Sequence, residues 1–166
     1  ERDPDDAEAM LDELQVELSR RSEDIRRMSR SLLPPALDEG DLRVAMESLV
    51  ARFAEGLSVT LDVPDDVAAD PHQQVALYHI AGEAMLNVHR HAQAHSCEVL
   101  VRRDDDGLLL VVADDGIGLT AARTVGIGMR SMRERAEDLG GTVEVTGVET
   151  GGTRVTVRLP ARLASR

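Results

Sequence analysis

Lysine is absent from this chain: its 19 basic residues are all arginine. That excludes a lysine-bearing phosphate loop and any chemistry through a lysine Schiff base. Tryptophan is absent as well, and one Tyr and one Phe make up the whole aromatic complement. The core must therefore be aliphatic, built from Leu, Val, Ala and Met. A surface that stacks single-stranded bases on rings is disfavoured. The single cysteine, Cys97, allows no internal disulfide and no cysteine-based zinc site, and it suits a reducing compartment. It is expected to be a small buried residue on one face of a strand. No apolar run approaches the ~18 residues of a membrane helix, and no signal peptide is visible. The expected location is cytoplasmic, any membrane anchor belonging to a longer protein.

What is present begins with charge. The 166 residues carry a net charge of −12 with 42% hydrophobic content, enough apolar material for one ordinary domain with an appended helix. An acidic chain of this kind is a poor partner for nucleic acid or an anionic membrane. An anionic ligand would need local help from backbone N–H groups, helix N-termini, a divalent cation or a few arginines.

Residues 5–33 read as one long helix, with Leu11, Leu14, Leu18, Ile25, Met28 and Leu32 on a heptad-like seam that requires a partner. Pro34-Pro35 stops it. A second helix is expected over 41–54, ended by Gly56, and then a strand carrying Val59, Leu61 and Val63, closed by Pro64. Asp70-Pro71 with Gln73 is a helix start with a capping box, and that helix should reach about Ala92. Residues 97–103 and 108–113 read as strands joined by Asp105-Asp106-Gly107, the second apolar throughout as in a central strand. Residues 119–127 read as a loop. A helix over Met129–Leu139 and a hairpin of Thr142–Thr146 with Thr153–Leu159 complete the chain, Pro160 ending the last strand. The sum is an α+β layer rather than a doubly wound order.

Three clusters carry chemistry. Glu83, Asn87 and His91 stand at i, i+4 and i+8, one polar stripe on a mostly apolar helix. A solvated edge and a helix laid across a ligand explain that stripe equally well from spacing alone. Asn offers a neutral oxygen to Mg²⁺, and a carboxylate nearby can orient water or act as a base. Asp114-Asp115-Gly116-Ile117-Gly118 closes the central strand. The Asp114 carboxylate can accept a hydrogen bond from an exocyclic amine, and the glycines let backbone approach a flat ring. Asp115 reads as a turn residue. Gly126-Ile127-Gly128 opens a helix, the place where free N–H groups and the helix dipole receive phosphate. Arg130 and Arg133, in its first turns, suit either phosphate or surface ion pairs. His89 and His95 read as surface residues, His72 and His79 as structural ones, and His91/His95 as a weak metal pair.

Together these clusters resemble the N, G1 and G2 boxes of the GHKL ATP-binding superfamily, which includes gyrase, MutL, heat-shock chaperone ATPases and sensor histidine kinases. Within it the chain is most similar to the histidine kinases that pair with NarL/LuxR-type response regulators, the NarX/DesK-like group. Residues Glu83 to Ala92 look like that group's EAxxNxxRHA box. Gly126 to Arg135 looks like its GxGLxxMxER box, with Met129 in place of the usual Leu. Gly151-Gly152-Thr153 before the last strand, and Leu32 to Leu37 after a long helix, are also typical.

The resemblance implies a two-layer α/β sandwich (the Bergerat fold), a mixed sheet against three helices. Residues 41–166 would be the catalytic ATP-binding domain, and 1–40 the incomplete second helix of a dimerisation and phosphotransfer hairpin. It implies ATP and Mg²⁺ as cofactors, with Asn87 holding the metal. Asp114 would bind adenine, with Thr153 assisting. Gly116 and Gly118 would shape the pocket, and Gly126 and Gly128 would form the lid hinge and phosphate contact. Arg90 and His91 would lie near the phosphates, and Glu83, a general base in the ATPase branch, is placed with Asn87 as catalytic. The group's phosphoacceptor-histidine segment is not found in this chain. A fragment is therefore expected that binds ATP and would phosphorylate a histidine on another helix, of the same or a partner subunit, for relay to a regulator. The full-length protein would be a homodimer. The alternatives are an anti-sigma-factor-type serine kinase, an ATP-hydrolysing clamp and a non-catalytic module.

Overall fold

The computed structural model describes residues 34–65, 67–118, 127–149 and 151–161. The helix expected over 5–33 lies outside the described residues, as does Gly126.

After Pro34 the chain makes one helical turn, α1 (Pro35–Asp38), with Leu37 buried. Helix α2 (Leu42–Ala51) is capped by the Asp41 carboxylate, which accepts the Val44 N–H at 3.0 Å. It buries Leu42, Ala45, Met46 and Leu49, at the spacing of one helix face. It is shorter than its apolar pattern suggests. Arg52 and Phe53 donate to the Leu49 and Val50 carbonyls, a tightened last turn, and Gly56 lies beyond it in the turn to β1 (Ser58–Asp62).

Helix α3 (Pro71–Asn87) starts where its capping box predicts. Asp70 accepts the Gln73 N–H at 3.0 Å, and the Gln73 side chain accepts the Asp70 N–H at 3.1 Å. These reciprocal bonds satisfy donors that a helix start otherwise leaves open. The amides of Gln73 and Gln74 are buried and tie the helix down. Gln73 donates to the Pro160 carbonyl at 2.8 Å, and Gln74 donates to those of Ala69 and Gly40 at 3.0 and 3.2 Å. The α-helical pattern stops at Asn87. A wider π turn, Val88–Ala92, carries the chain on until Gln93 turns left-handed with φ 53°.

Strands β2 (Ser96–Arg103) and β3 (Gly107–Asp114), helix α4 (Ile127–Glu137), and strands β4 (Thr142–Gly147) and β5 (Thr153–Pro160) follow. The β2–β3 turn sits one residue earlier than expected, because the Asp104 side chain accepts the Asp106 and Gly107 N–H groups at 3.0 Å. The sheet order is β1-β2-β3-β5-β4, with β1 and β2 parallel and the other pairs antiparallel. The parallel pair needs a long crossover, which α3 supplies. The remaining strands are joined as neighbours or by α4, so the fold is α+β with a mixed sheet.

Register sets the core. Val99 pairs with Val112 and Val101 with Leu110; Leu110 in turn pairs with Val157, and Val157 with Val143. With Leu108, Val155 and Leu159 these side chains face α2, α3 and α4, which bring Met46, Leu77, Ile80, Met85 and Met132 to meet them. The core is aliphatic, as the composition requires, and each such side chain contributes roughly 1.5–3 kcal/mol on burial. β3 is central and nearly covered on both faces: even Val111, on the face away from the helices, is 7% exposed.

Candidate functional site

One end of the sheet collects the C-terminus of β3, the N-termini of β2 and β5, the C-terminal end of α3 with its π turn, and the N-terminus of α4. Asp114 lies at that end on the helix-facing side, paired in register with Cys97. It is 8% exposed, and its Oδ1 accepts the Gly116 N–H at 2.8 Å. Burial raises its carboxyl pKa from the ordinary value, and the Gly116 and Thr153 backbone N–H groups oppose that by favouring the charged form. Cys97 is buried beside it, its thiol pushed up to about 12 mainly by burial and then by the nearby carboxylates, Asp114 foremost.

Asp115 is a turn residue, as expected, and it also holds two loops together. One carboxylate oxygen accepts the His95 and Ser96 N–H groups at 2.8 and 2.9 Å, and the other accepts the Ser96 hydroxyl at 2.8 Å. Those bonds, the Ser96 N–H first, bring its pKa down to about 2. Two residues on, Ile117 N–H donates to the Ala92 carbonyl at 2.8 Å. The loop after β3 is thus fastened to the end of the π turn and to the start of β2.

Glycine is required where these backbones meet. A Cβ on Gly116 would lie 2.2 Å from the Ala92 carbonyl oxygen, and one on Gly152, whose φ is +95°, would lie 1.8 Å from the Asp114 carbonyl oxygen. Gly118 faces Gly152 from the opposite side, so the β4–β5 turn packs directly on the loop after β3. This brings Thr153, half-buried at the start of β5, beside Asp114.

The second half of the site is on α3 and α4. Glu83 and Asn87 are half-buried, one turn apart, and face the first turn of α4. A Cβ on Gly128 would lie 2.9 Å from a Glu83 carboxylate oxygen and within 3.9 Å of both polar atoms of the Asn87 amide. Oxygen donors therefore stand against a helix N-terminus, where main-chain N–H groups lack helical partners and the dipole is positive. The polar stripe stops there: Arg90 and His91 are exposed on the π turn. His89 is exposed too, its ring edge-on to Phe53 with centroids 6.0 Å apart. Arg130 pairs with Glu134 at 2.8 Å on the surface, and Arg133 is exposed.

The structure thus joins Asp114, Gly116, Gly118 and Thr153 on one side, and Glu83, Asn87 and Gly128 on the other, with Ala92 between. Ala92, Asp115, Ser96 and Gly152 escape sequence reasoning as site residues. Only the strand register and the π turn reveal them, since most act through main-chain atoms.

A helix laid beside a mixed sheet, with an acid at a strand end and a glycine-led helix start, defines a class of nucleotide site. The family described as histidine kinase-, DNA gyrase B- and HSP90-like ATPase matches residues 72–163, and the chain belongs to it. ATP use follows from that membership. Among similar proteins are the signal transduction histidine-protein kinase/phosphatase UhpB of Salmonella typhimurium, 36% identical over 83% of this chain, and the nitrate/nitrite sensor NarX of Escherichia coli K12, 32% identical over 93%. They are covered over 28% and 26% of their own lengths, so the chain spans about a quarter of each. In fold it is similar to the Acinetobacter baumannii histidine kinase AdeS (TM-score 0.64, 16% identity, 99% of this chain and 87% of that one). It is also similar to the ATP-binding domain of PrrB from Mycobacterium tuberculosis (TM-score 0.56, 23% identity, 68% and 86%). Among the described residues no helix is long and apolar enough to cross a membrane.

Proposed function

We propose that residues 41–166 are the catalytic ATP-binding domain of a two-component sensor histidine kinase, and residues 1–40 the second helix of its dimerisation hairpin. The observation that carries the reading is the meeting of Glu83 and Asn87 with Gly128 at the head of α4, in a fold that also holds a buried Asp114 at the end of β3. Asp114 receives the adenine amino group. Its carboxylate is already held by the Gly116 N–H, so its remaining acceptor capacity is oriented before ligand arrives. Thr153 supports that carboxylate through its backbone N–H. Gly118 shapes the pocket wall. Gly126 and Gly128 let the backbone approach phosphate, and Arg90 and His91 lie at the phosphate side.

The donor set fits Mg²⁺. A neutral carboxamide oxygen with a carboxylate nearby, at a helix N-terminus suited to phosphate, is the hard-oxygen environment that cation takes. Bound there, Mg²⁺ would neutralise charge on the transferred phosphoryl group. Asn87 would hold it, and Glu83 would orient the neighbouring polar groups. The rest of the chemistry is positioning. The acceptor is a histidine on a helix of the same or a partner subunit, and the relay runs to a NarL/LuxR-type regulator. The similar proteins support the kinase reading: UhpB is by name a signal transduction histidine-protein kinase/phosphatase, and NarX a nitrate/nitrite sensor protein.

Calorimetric titration with ATP, with and without Mg²⁺, tests the reading alongside phosphate release and phosphotransfer to a phosphoacceptor hairpin supplied in trans. Binding lost in Asp114→Asn, negligible hydrolysis and labelling of the added histidine are expected. Rapid hydrolysis without an acceptor would indicate an ATPase clamp instead. Labelling of an added serine substrate would indicate an anti-sigma-factor-type kinase.

A further inference from the structure

A helix start favours an anion, yet beside Gly128, in the first turn of α4, the approaching side chain is itself an anion. A Glu83 oxygen approaches the Gly128 Cβ position to 2.9 Å, closer than either Asn87 atom at 3.8 and 3.9 Å. Glu83 is half-buried on α3, a helix fastened at its start by Gln73 and Gln74. Among the described residues it has no ion-pair partner. Arg130, the basic residue in the first turn of α4, is engaged along its own helix with Glu134. No lysine exists to neutralise it. The carboxylate therefore stands where the helix dipole and the open N–H groups would otherwise favour phosphate without any cation.

We infer that Glu83 is a charge gate that makes nucleotide binding conditional on a divalent cation. The inference rests on the reading of this site as the ATP site and specifies what Glu83 does there. A metal-free polyphosphate brings its charge against a carboxylate a few ångströms away, at an effective dielectric well below that of water, and is repelled. The metal-bound nucleotide has lower charge at the same point. The carboxylate and the Asn87 amide both lie on the cation's side of it, so Glu83 tolerates or favours that form. The gate is a residue that determines specificity between two forms of one nucleotide, separate from any part in chemistry.

Equilibrium titration measures it without turnover. Dissociation constants for ATP are determined in excess EDTA and in excess Mg²⁺, for the wild-type chain and for Glu83→Gln, Glu83→Asp and Gly128→Ala. Glu83→Gln, isosteric and neutral, is expected to bind metal-free ATP about tenfold or more tightly than wild type, and so to narrow the ratio between the two constants. Glu83→Asp keeps the charge and should keep most of that ratio. In Gly128→Ala the new methyl displaces the flexible carboxylate rather than backbone, so the ratio should narrow there too. A ratio unchanged in Glu83→Gln, or weaker metal-free binding by it, would overturn the gate while leaving the ATP site standing. A wild-type chain that binds ATP in neither condition would instead remove the reading beneath it. Far-UV circular dichroism on each variant separates these outcomes from misfolding: a variant that has lost its helical signal is replaced by the Glu83→Asp and Gly128→Ala comparison.

Discussion

Gly116→Ala tests how the two halves of the site are joined. The added methyl carbon would lie 2.2 Å from the Ala92 carbonyl oxygen and 2.8 Å from that residue's carbonyl carbon and Cβ. Ordinary contact begins near 3.4 Å, so the backbones must part by more than 1 Å, with no flexible side chain to yield. Two hydrogen bonds lie in the path of that motion. Ile117 N–H to the Ala92 carbonyl is 2.8 Å long and contributes about 1 kcal/mol. Gly116 N–H to the Asp114 carboxylate, also 2.8 Å, ends on a buried charge and contributes about 1.5–3 kcal/mol. Losing both costs roughly 2.5–4 kcal/mol. Relaxation confined to the loop leaves some bonding in place and brings the cost nearer 2 kcal/mol.

The expected result is a urea midpoint shifted by an amount in that range, with ATP affinity reduced tenfold or more because Asp114 loses its oriented partner. Gly147→Ala is the control: nothing lies within 4 Å of its Cβ position, so stability should change by less than about 0.5 kcal/mol. A Gly116→Ala chain with both wild-type stability and wild-type affinity would refute the claim that the Ala92 contact positions the site.

Three further outcomes follow from the same end of the sheet. Because burial raises the Asp114 pKa in the fold, its charged form is disfavoured there and stability declines as pH rises through that value; Asp114→Asn should melt at the same temperature or higher at pH 7 while losing ATP affinity, read by calorimetry. The Asp115 carboxyl is depressed to about 2 against roughly 4 unfolded, so its contribution is present above pH 4 and lost between pH 4 and 2; circular dichroism should show a shallower acid transition in that window for Asp115→Asn. Cys97, with its thiol near 12 and its side chain buried, should resist an aromatic disulfide reagent at pH 7.5 and react at once on addition of denaturant; rapid reaction of the folded chain would contradict its placement on the inner face.

Local chemistry made much of the fold legible. Asp70, Pro71 and Gln73 announce the start of α3, and the capping bonds are formed as their spacing predicts. The unbroken Leu108 to Ala113 run announces a central strand, and β3 has neighbours on both sides. Boundaries set by backbone detail were less accessible. The 3.6 period runs smoothly from Pro71 to Ala92, so nothing in it distinguishes an α-helix ending at Asn87 from the π turn that follows. That turn aims the Ala92 carbonyl at Ile117, and His91 stands exposed on it.

The same logic explains which site residues a sequence can disclose. Glu83, Asn87 and Asp114 carry chemical groups whose types limit what they can do, so a spacing argument reaches them. Ala92, Gly116 and Gly152 act through a carbonyl oxygen or through the absence of a methyl, and such roles become visible only once the two backbones are in place. In a chain of net charge −12 without lysine this is more than an obstacle to reading. Beside its arginines, main-chain N–H groups and a helix dipole can hold a polyanion, and these bring no full countercharge to offset nearby carboxylates. A site so built can set its response to charge with one side chain. Glu83 is placed to do that, since its carboxylate oxygen comes within 2.9 Å of where a Gly128 Cβ would stand in the first turn of α4.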